Sequence, residues 1–170
     1  AVERDPKRAA RLQENLTRLR LPAELVVAEA LRWAPGGAPF DAILLDAPCT
    51  ATGTIRRHPD VPHLKRPKDV GAAAALQREL LAAAARLLAP GGRLVLATCS
   101  LQAEEGEAHL AAAADLGLAL DPVRAEELPG LAGALTPEGA VRTRPDLWAA
   151  QGGMDGFFMA RFRKARFRKE

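Results

Sequence analysis

At 170 residues the chain has the length of one domain, enough to bury roughly two-thirds of its unfolded surface. A hydrophobic fraction of 48% against 26% charged residues is that of a soluble globular chain, and no apolar run approaches the ~20 residues of a membrane span, so no membrane is expected. Two cysteines and three dispersed histidines make neither a disulfide framework nor a zinc pattern, which predicts free thiols, no metal and a cytoplasmic setting.

In chain order, Asp5 as a cap and Pro6 at the first helical position precede Leu12, Leu16 and Leu19 at helical spacing, predicting a helix to about Arg20. Three short apolar runs at 24–29, 40–48 and 92–100 read as buried parallel strands. Between the last two, residues 69–92 form a long Ala/Leu helix closed by Pro90-Gly91-Gly92. A helix over 102–115, a strand over 117–123, a Pro/Gly-rich loop to about 155 and a closing strand over 156–164 complete the reading. This alternation predicts an α/β, doubly wound, mostly parallel sheet. The tail from 160 to 170 holds six Arg or Lys and one Glu. Taking its +5 from the net +3 leaves −2 for the rest. Residues 1–164 are read as the domain and 165–170 as a basic extension, which is either a nucleic-acid contact or a solvated appendage.

Ligands in such sheets gather at the carboxyl ends of the strands. Asp46 and Cys49 follow one predicted strand and Cys99 follows the next, so neighbouring strands would open both thiols onto one hollow. A lone free cysteine is usually a small buried apolar residue. Two at matching strand ends, one beside an acid and Pro48, point instead to thiol chemistry. Pro48 stiffens the loop that presents Cys49, and Gly53 offers either close backbone approach to a substrate or a positive φ.

The segments "ERDPKR" (3–8), "FDAILLDAPCTATGTIRRHPD" (40–60), "LLAPGGRLVLATCS" (87–100) and "DGFFMARFRK" (155–164) together resemble the Sun/Fmu-type RNA (cytosine-5)-methyltransferases, and most closely the RsmB-like enzymes of small-subunit ribosomal RNA. The likeness runs in the family's order over nearly the whole chain and implies a Rossmann-like methyltransferase sheet. Cytosine C5 is a poor nucleophile, so its methylation needs a thiolate that adds temporarily to C6. The resemblance implies that Cys99 attacks and that Cys49 assists the elimination. DNA cytosine methyltransferases attack with the cysteine of a Pro-Cys pair, so the reverse assignment stays open at this stage. Asp46 is the candidate for the cytosine edge and for the cofactor region.

The methyl donor implied is S-adenosylmethionine, with Glu3 on its ribose hydroxyls and Glu29 near its adenine. The loop after the Asp-Cys segment supplies Arg56, Arg57, His58, Lys65, Arg66 and Lys68 as candidate RNA contacts, with a solvated basic loop as the plain alternative. A single-stranded or looped cytosine is the expected target. A glycine-rich first strand and an amino-terminal RNA-binding domain, both typical of the family, are expected to precede Glu3. The resemblance therefore implies a sheet truncated at its amino end, and a monomeric chain that by itself binds the cofactor weakly and turns over poorly. The rival readings are a non-catalytic RNA-binding module, an enzyme of transfer RNA or DNA, and a thiol redox protein, the last without a Cys-x-x-Cys spacing.

Overall fold

Asp5 starts the first helix as its residue type predicts: its Oδ1 accepts from the amides of Lys7 at 2.8 Å and Arg8 at 3.3 Å, and Pro6 follows. A computed structural model describes residues 1–166 and divides the chain into two units, Ala1–Gly37 and Ala38–Glu170, each described by itself. In the first unit, helix α1 (Pro6–Leu19) ends at Arg20, whose left-handed backbone returns its N–H to Leu16 and Thr17. Strand β1 (Val2–Glu3) pairs in parallel with β2 (Val26–Val27). The strand expected over 24–29 is that short because its partner contributes only two residues to the ladder.

The second unit is built on β3 (Phe40–Asp46), β4 (Leu88–Thr98), β5 (Leu118–Leu120), β6 (Val141–Arg142) and β7 (Phe158–Lys164). The sheet runs β3-β4-β7-β5, with β6 also on β7. The class is α/β as expected, but the sheet is mixed: β3 and β4 are parallel, while β7 runs antiparallel to β4, β5 and β6. The strand expected to close the chain thus inserts between β4 and β5.

One face of this sheet carries the core. Leu94, Leu96 and Thr98 alternate with Arg93, Val95 and Ala97, and register opposite Phe162, Ala160 and Phe158. Against that face pack α3 (Pro67–Leu87), through Leu81, Ala84 and Ala85, and α4 (Ala108–Asp115), through Ala113. Because both helices join the same cluster, the strands bury one side more than the other; Leu44 is 73% exposed. A single turn, α2 (Val61–Leu64), lies in the basic loop.

Two expected elements change shape. Helix α3 stops at Leu87 and β4 begins at once, so Pro90-Gly91-Gly92 forms an irregularity inside the strand, where the register jumps between Phe40 and Ala42. Gly91 takes φ +79°, and Lys164 Nζ donates to the carbonyls of Ala85 and Leu88 at 2.7 Å each, closing the helix end. The helix expected over 102–115 is split into a short 3-10 turn, Ala103–Glu105, and α4. A Cβ at Gly106 would stand 3.0 Å from the Phe158 ring, and Glu105 turns inward, fully buried. Among the described residues no helix is long and apolar enough to cross a membrane. The basic repeat beyond Arg166 lies outside the described residues.

Candidate active site

Strands β3 and β4 end together, with Asp46 in register with Ala97 and one further rung from the Ala47 amide to the Ala97 carbonyl at 2.9 Å. Past that rung the chains become loops. The β3 loop turns at Ala51, whose φ of 59° is left-handed, into the 3-10 turn Thr52–Thr54. Its Gly53 amide donates to the Cys99 carbonyl at 2.9 Å, tying the two loops together. The result brings Cys49 Sγ and Cys99 Sγ to 3.3 Å, both half-buried and unbridged. The strand-end positions read from the sequence therefore do bring the two thiols together.

A sulfur-to-sulfur contact of this kind shares a proton. The hydrogen bond from Cys49 brings the Cys99 thiol down to about 7, against opposition from burial and from the charges of Asp46 and Glu105. The same bond, together with burial, pushes Cys49 well up. The Arg57 guanidinium is close enough to couple electrostatically to Cys99. Asp46, the last residue of β3, is exposed, and its charge reaches Cys99.

Behind the thiols lies a polar cluster that sequence reasoning missed. The buried Glu105 carboxylate accepts from the Thr50 amide at 2.9 Å, the Thr50 hydroxyl, the Ser100 hydroxyl at 2.6 Å and Gln77 Nε2 at 3.1 Å. His109 Nε2 meets Gln77 Oε1 at 2.7 Å, and burial lowers the pKa of its imidazole. In sequence, Glu105 falls in the segment 102–115, which reads only as a helix, and nothing local marks it as buried. Arg142 was missed as well: it donates to the Ser100 carbonyl, pairs with Glu107 at 2.6 Å and stacks 5.0 Å from the Phe158 ring centroid.

Gly53 serves a role other than the two expected. Its φ is not positive, and the backbone it admits is that of Gly156, whose carbonyl oxygen would lie 1.8 Å from an added Cβ. The neighbouring Asp155 collects the first two basic candidates: Arg57 Nε donates to it at 2.7 Å and Arg56 lies at 3.5 Å, which holds its carboxyl below the usual range. His58, Lys65, Arg66 and Lys68 are exposed along the same loop. In the first unit, Glu3 is the last residue of β1 and Glu29 lies two residues beyond β2. Glu3 accepts from the Asp5 amide at 2.9 Å and faces Arg8 at 3.5 Å, and Glu29 faces Arg4 at 3.6 Å. A cleft of about 380 Å³ lined by Glu107, Thr136, Arg142 and Arg144 includes none of the predicted catalytic residues. The thiol pair, where the reactive groups meet, is the stronger candidate.

Comparison with known proteins bears on the same residues. A family model described as 16S rRNA methyltransferase RsmB/F matches residues 1–163. A ribosomal RNA small subunit methyltransferase B of Pseudomonas syringae pv. tomato is 45% identical over 173 aligned positions, covering 96% of this chain and 36% of that protein. Its counterpart in Sodalis glossinidius is 50% identical over 115, covering 66% and 26%. The chain thus spans about a third or less of these relatives. Among solved structures, NSun6 from Pyrococcus horikoshii with SFG superposes with a TM-score of 0.82 at 30% identity, over 98% of this chain and 41% of that one. A methyltransferase homolog protein from the same organism gives 0.76 at 33%, over 96% and 52%.

Proposed function

This chain belongs to the 16S rRNA methyltransferase RsmB/F family, and we propose that it carries the thiol half of an RNA (cytosine-5)-methyltransferase site that uses S-adenosylmethionine. The observation that carries the reading is the 3.3 Å contact between two free cysteines at adjacent parallel strand ends, with Asp46 at the end of the first strand.

Cys99 is the attacking group in this proposal. The proton shared with Cys49 favours its thiolate near neutral pH, and Arg57 favours the same charge. The Cys99 sulfur forms a bond to C6 of the cytosine, and the C5–C6 electron pair moves onto C5 and the ring. Asp46 faces the ring edge, where a carboxyl steadies the proton that N3 gains as sulfur adds. When bound, S-adenosylmethionine supplies the electrophilic methyl that C5 takes. Cys49, whose own proton passes to the ring as Cys99 adds, is by then a thiolate, and it removes the C5 proton. The released pair re-forms the double bond and expels Cys99 as thiolate, and N3 gives its added proton to water, so atoms and charge balance. The bond to Cys99 that holds the proton on Cys49 is lost once that sulfur is bound to carbon, which frees Cys49 to act as the base in the second step.

The donor set fits the cofactor: Glu3 and Glu29 are carboxylates at the carboxyl edge of a parallel strand pair, with acceptor capacity beyond their Arg partners for ribose hydroxyls. Exposed Lys65, Arg66, Lys68 and His58 are the proposed phosphate contacts, with Arg56 and Arg57 held by Asp155.

The protein carrying this chain, incubated with S-adenosylmethionine and 16S rRNA containing 5-fluorocytosine, is expected to yield a covalent adduct, because fluorine cannot leave C5 as a proton does. Cys99→Ser abolishes the adduct. Cys49→Ala retains it, and also accumulates adduct on ordinary cytosine. An adduct that survives Cys99→Ser and vanishes in Cys49→Ala reverses the assignment. Absence of any adduct favours a non-catalytic RNA-binding module, and adduct only with transfer RNA changes the substrate.

A further inference from the structure

A side chain at the site that accepts four hydrogen bonds takes no part in the chemistry above. Glu105 is fully buried, and among the described residues no Lys or Arg pairs with it. A carboxylate removed from water costs several kcal/mol unless hydrogen bonds replace its hydration. Four donors do so here, and their places in the chain are informative. Thr50, which follows Cys49, gives both its amide and its hydroxyl; Ser100, which follows Cys99, gives its hydroxyl. Gln77 gives one amide hydrogen to Glu105 and also donates to the carbonyl of Pro48, the residue before Cys49, at 2.8 Å. Thr98, the residue before Cys99, donates its hydroxyl to the Glu105 carbonyl at 2.9 Å. Both neighbours of each cysteine are thus tied to Glu105 directly or through Gln77. His109 holds the far end of Gln77, which leaves the Gln77 amide one orientation.

We propose that Glu105 is a positioning residue for the two-thiol site: its carboxylate gathers Thr50, Ser100 and, through Gln77, Pro48, and thereby sets the contact between the two sulfurs. The bearing of this brace on methyl transfer rests on the function proposed above; the brace itself does not.

A brace and a mere nearby charge make opposite predictions for Cys99. The groups acting on that thiol are Cys49, which lowers its pKa, Asp46 and Glu105, whose charges raise it, and Arg57, which favours the thiolate. Removing the Glu105 charge alone would lower the pKa further. Releasing the sulfur contact would raise it toward the ordinary 9.0. Glu105→Ala removes both the charge and the brace. Glu105→Gln removes the charge but can keep the brace, because its Oε1 still accepts from the Thr50 amide and Gln77 while its Nε2 donates to the two hydroxyls.

The test is the pH dependence of Cys99 alkylation by iodoacetamide in the 170-residue chain, read by peptide mass with circular dichroism as a check on folding. The native chain should show an inflection at about 7. Glu105→Ala should raise it by at least one pH unit, toward the value of Cys49→Ala, and Glu105→Gln should leave it in place or lower it. An unmoved or lowered inflection in folded Glu105→Ala overturns the proposal, as does a rise in Glu105→Gln equal to that in Glu105→Ala. If Glu105→Ala fails to fold, Thr50→Val and Ser100→Ala each remove one donor and must each give a smaller rise; no rise in either overturns it equally. The titration needs neither RNA nor methyl donor, so a missing RNA adduct would defeat the proposed function and leave this result standing.

Discussion

Gly53 shows how little room the reactive loops have. Its amide holds Cys99 through a 2.9 Å bond to the carbonyl, its own carbonyl accepts the Gly156 amide at 2.7 Å, and an added Cβ would meet Gly156 carbonyl carbon at 2.6 Å. Backbone atoms on both sides cannot swing away as a side chain could. Gly53→Ala is therefore expected to cost about 3 kcal/mol, at the upper end of overpacking, measured as a lowered urea midpoint. A midpoint within experimental error of the native one would show that the two loops can separate. The importance of this glycine was visible in the sequence, but its partner was not: Gly156 lies 103 positions later, and only the return of the chain before β7 brings it there.

At the level of elements, the segment after the Asp-Cys loop splits into two parts with different work. Arg56 and Arg57 are drawn to Asp155, which arrives from the turn before β7, while Lys65, Arg66 and Lys68 remain exposed around α2 and the start of α3. Lys65→Ala and Arg66→Ala are therefore expected to weaken RNA binding with little loss of stability, and each should flatten the slope of log affinity against log salt by about 0.7. Filter binding across a salt series measures this; an unchanged slope for both removes them from the RNA contact. Arg57→Ala should instead also disturb the loop, because it leaves Asp155 to Arg56 alone. The basic cluster was legible as composition. Its division was not, since the acid that divides it is remote in sequence.

For the whole molecule, the buried polar cluster that joins α3, α4 and the two loops makes acid the vulnerable condition. Burial lowers the His109 pKa below the ordinary 6.5, and Arg78 adds to that. The unfolded chain therefore takes up a proton at a pH where the folded chain does not, and stability falls as pH drops below about 6.5, with none of this loss above it. Asp155 and Glu107, held low by Arg57 and Arg142 once burial is overcome, add to the loss at still lower pH. Thermal melts between pH 7.5 and 5 should show the decline, and His109→Gln, which keeps a polar partner for Gln77, should be less steep over that interval. Equal slopes would show that His109 is not the group responsible. The sequence by itself determined the α/β class, the order of the main elements and the two cysteines at strand ends, because hydrophobic period, caps and strand-end polarity are local properties of the chain. Only the tertiary structure decided that β7 runs between β4 and β5, that the sulfurs touch at 3.3 Å, and that Glu105 lies between their loops. Each of these depends on contacts between segments dozens of residues apart, and a buried, four-fold hydrogen-bonded glutamate is spelled with the same letter as a solvated one.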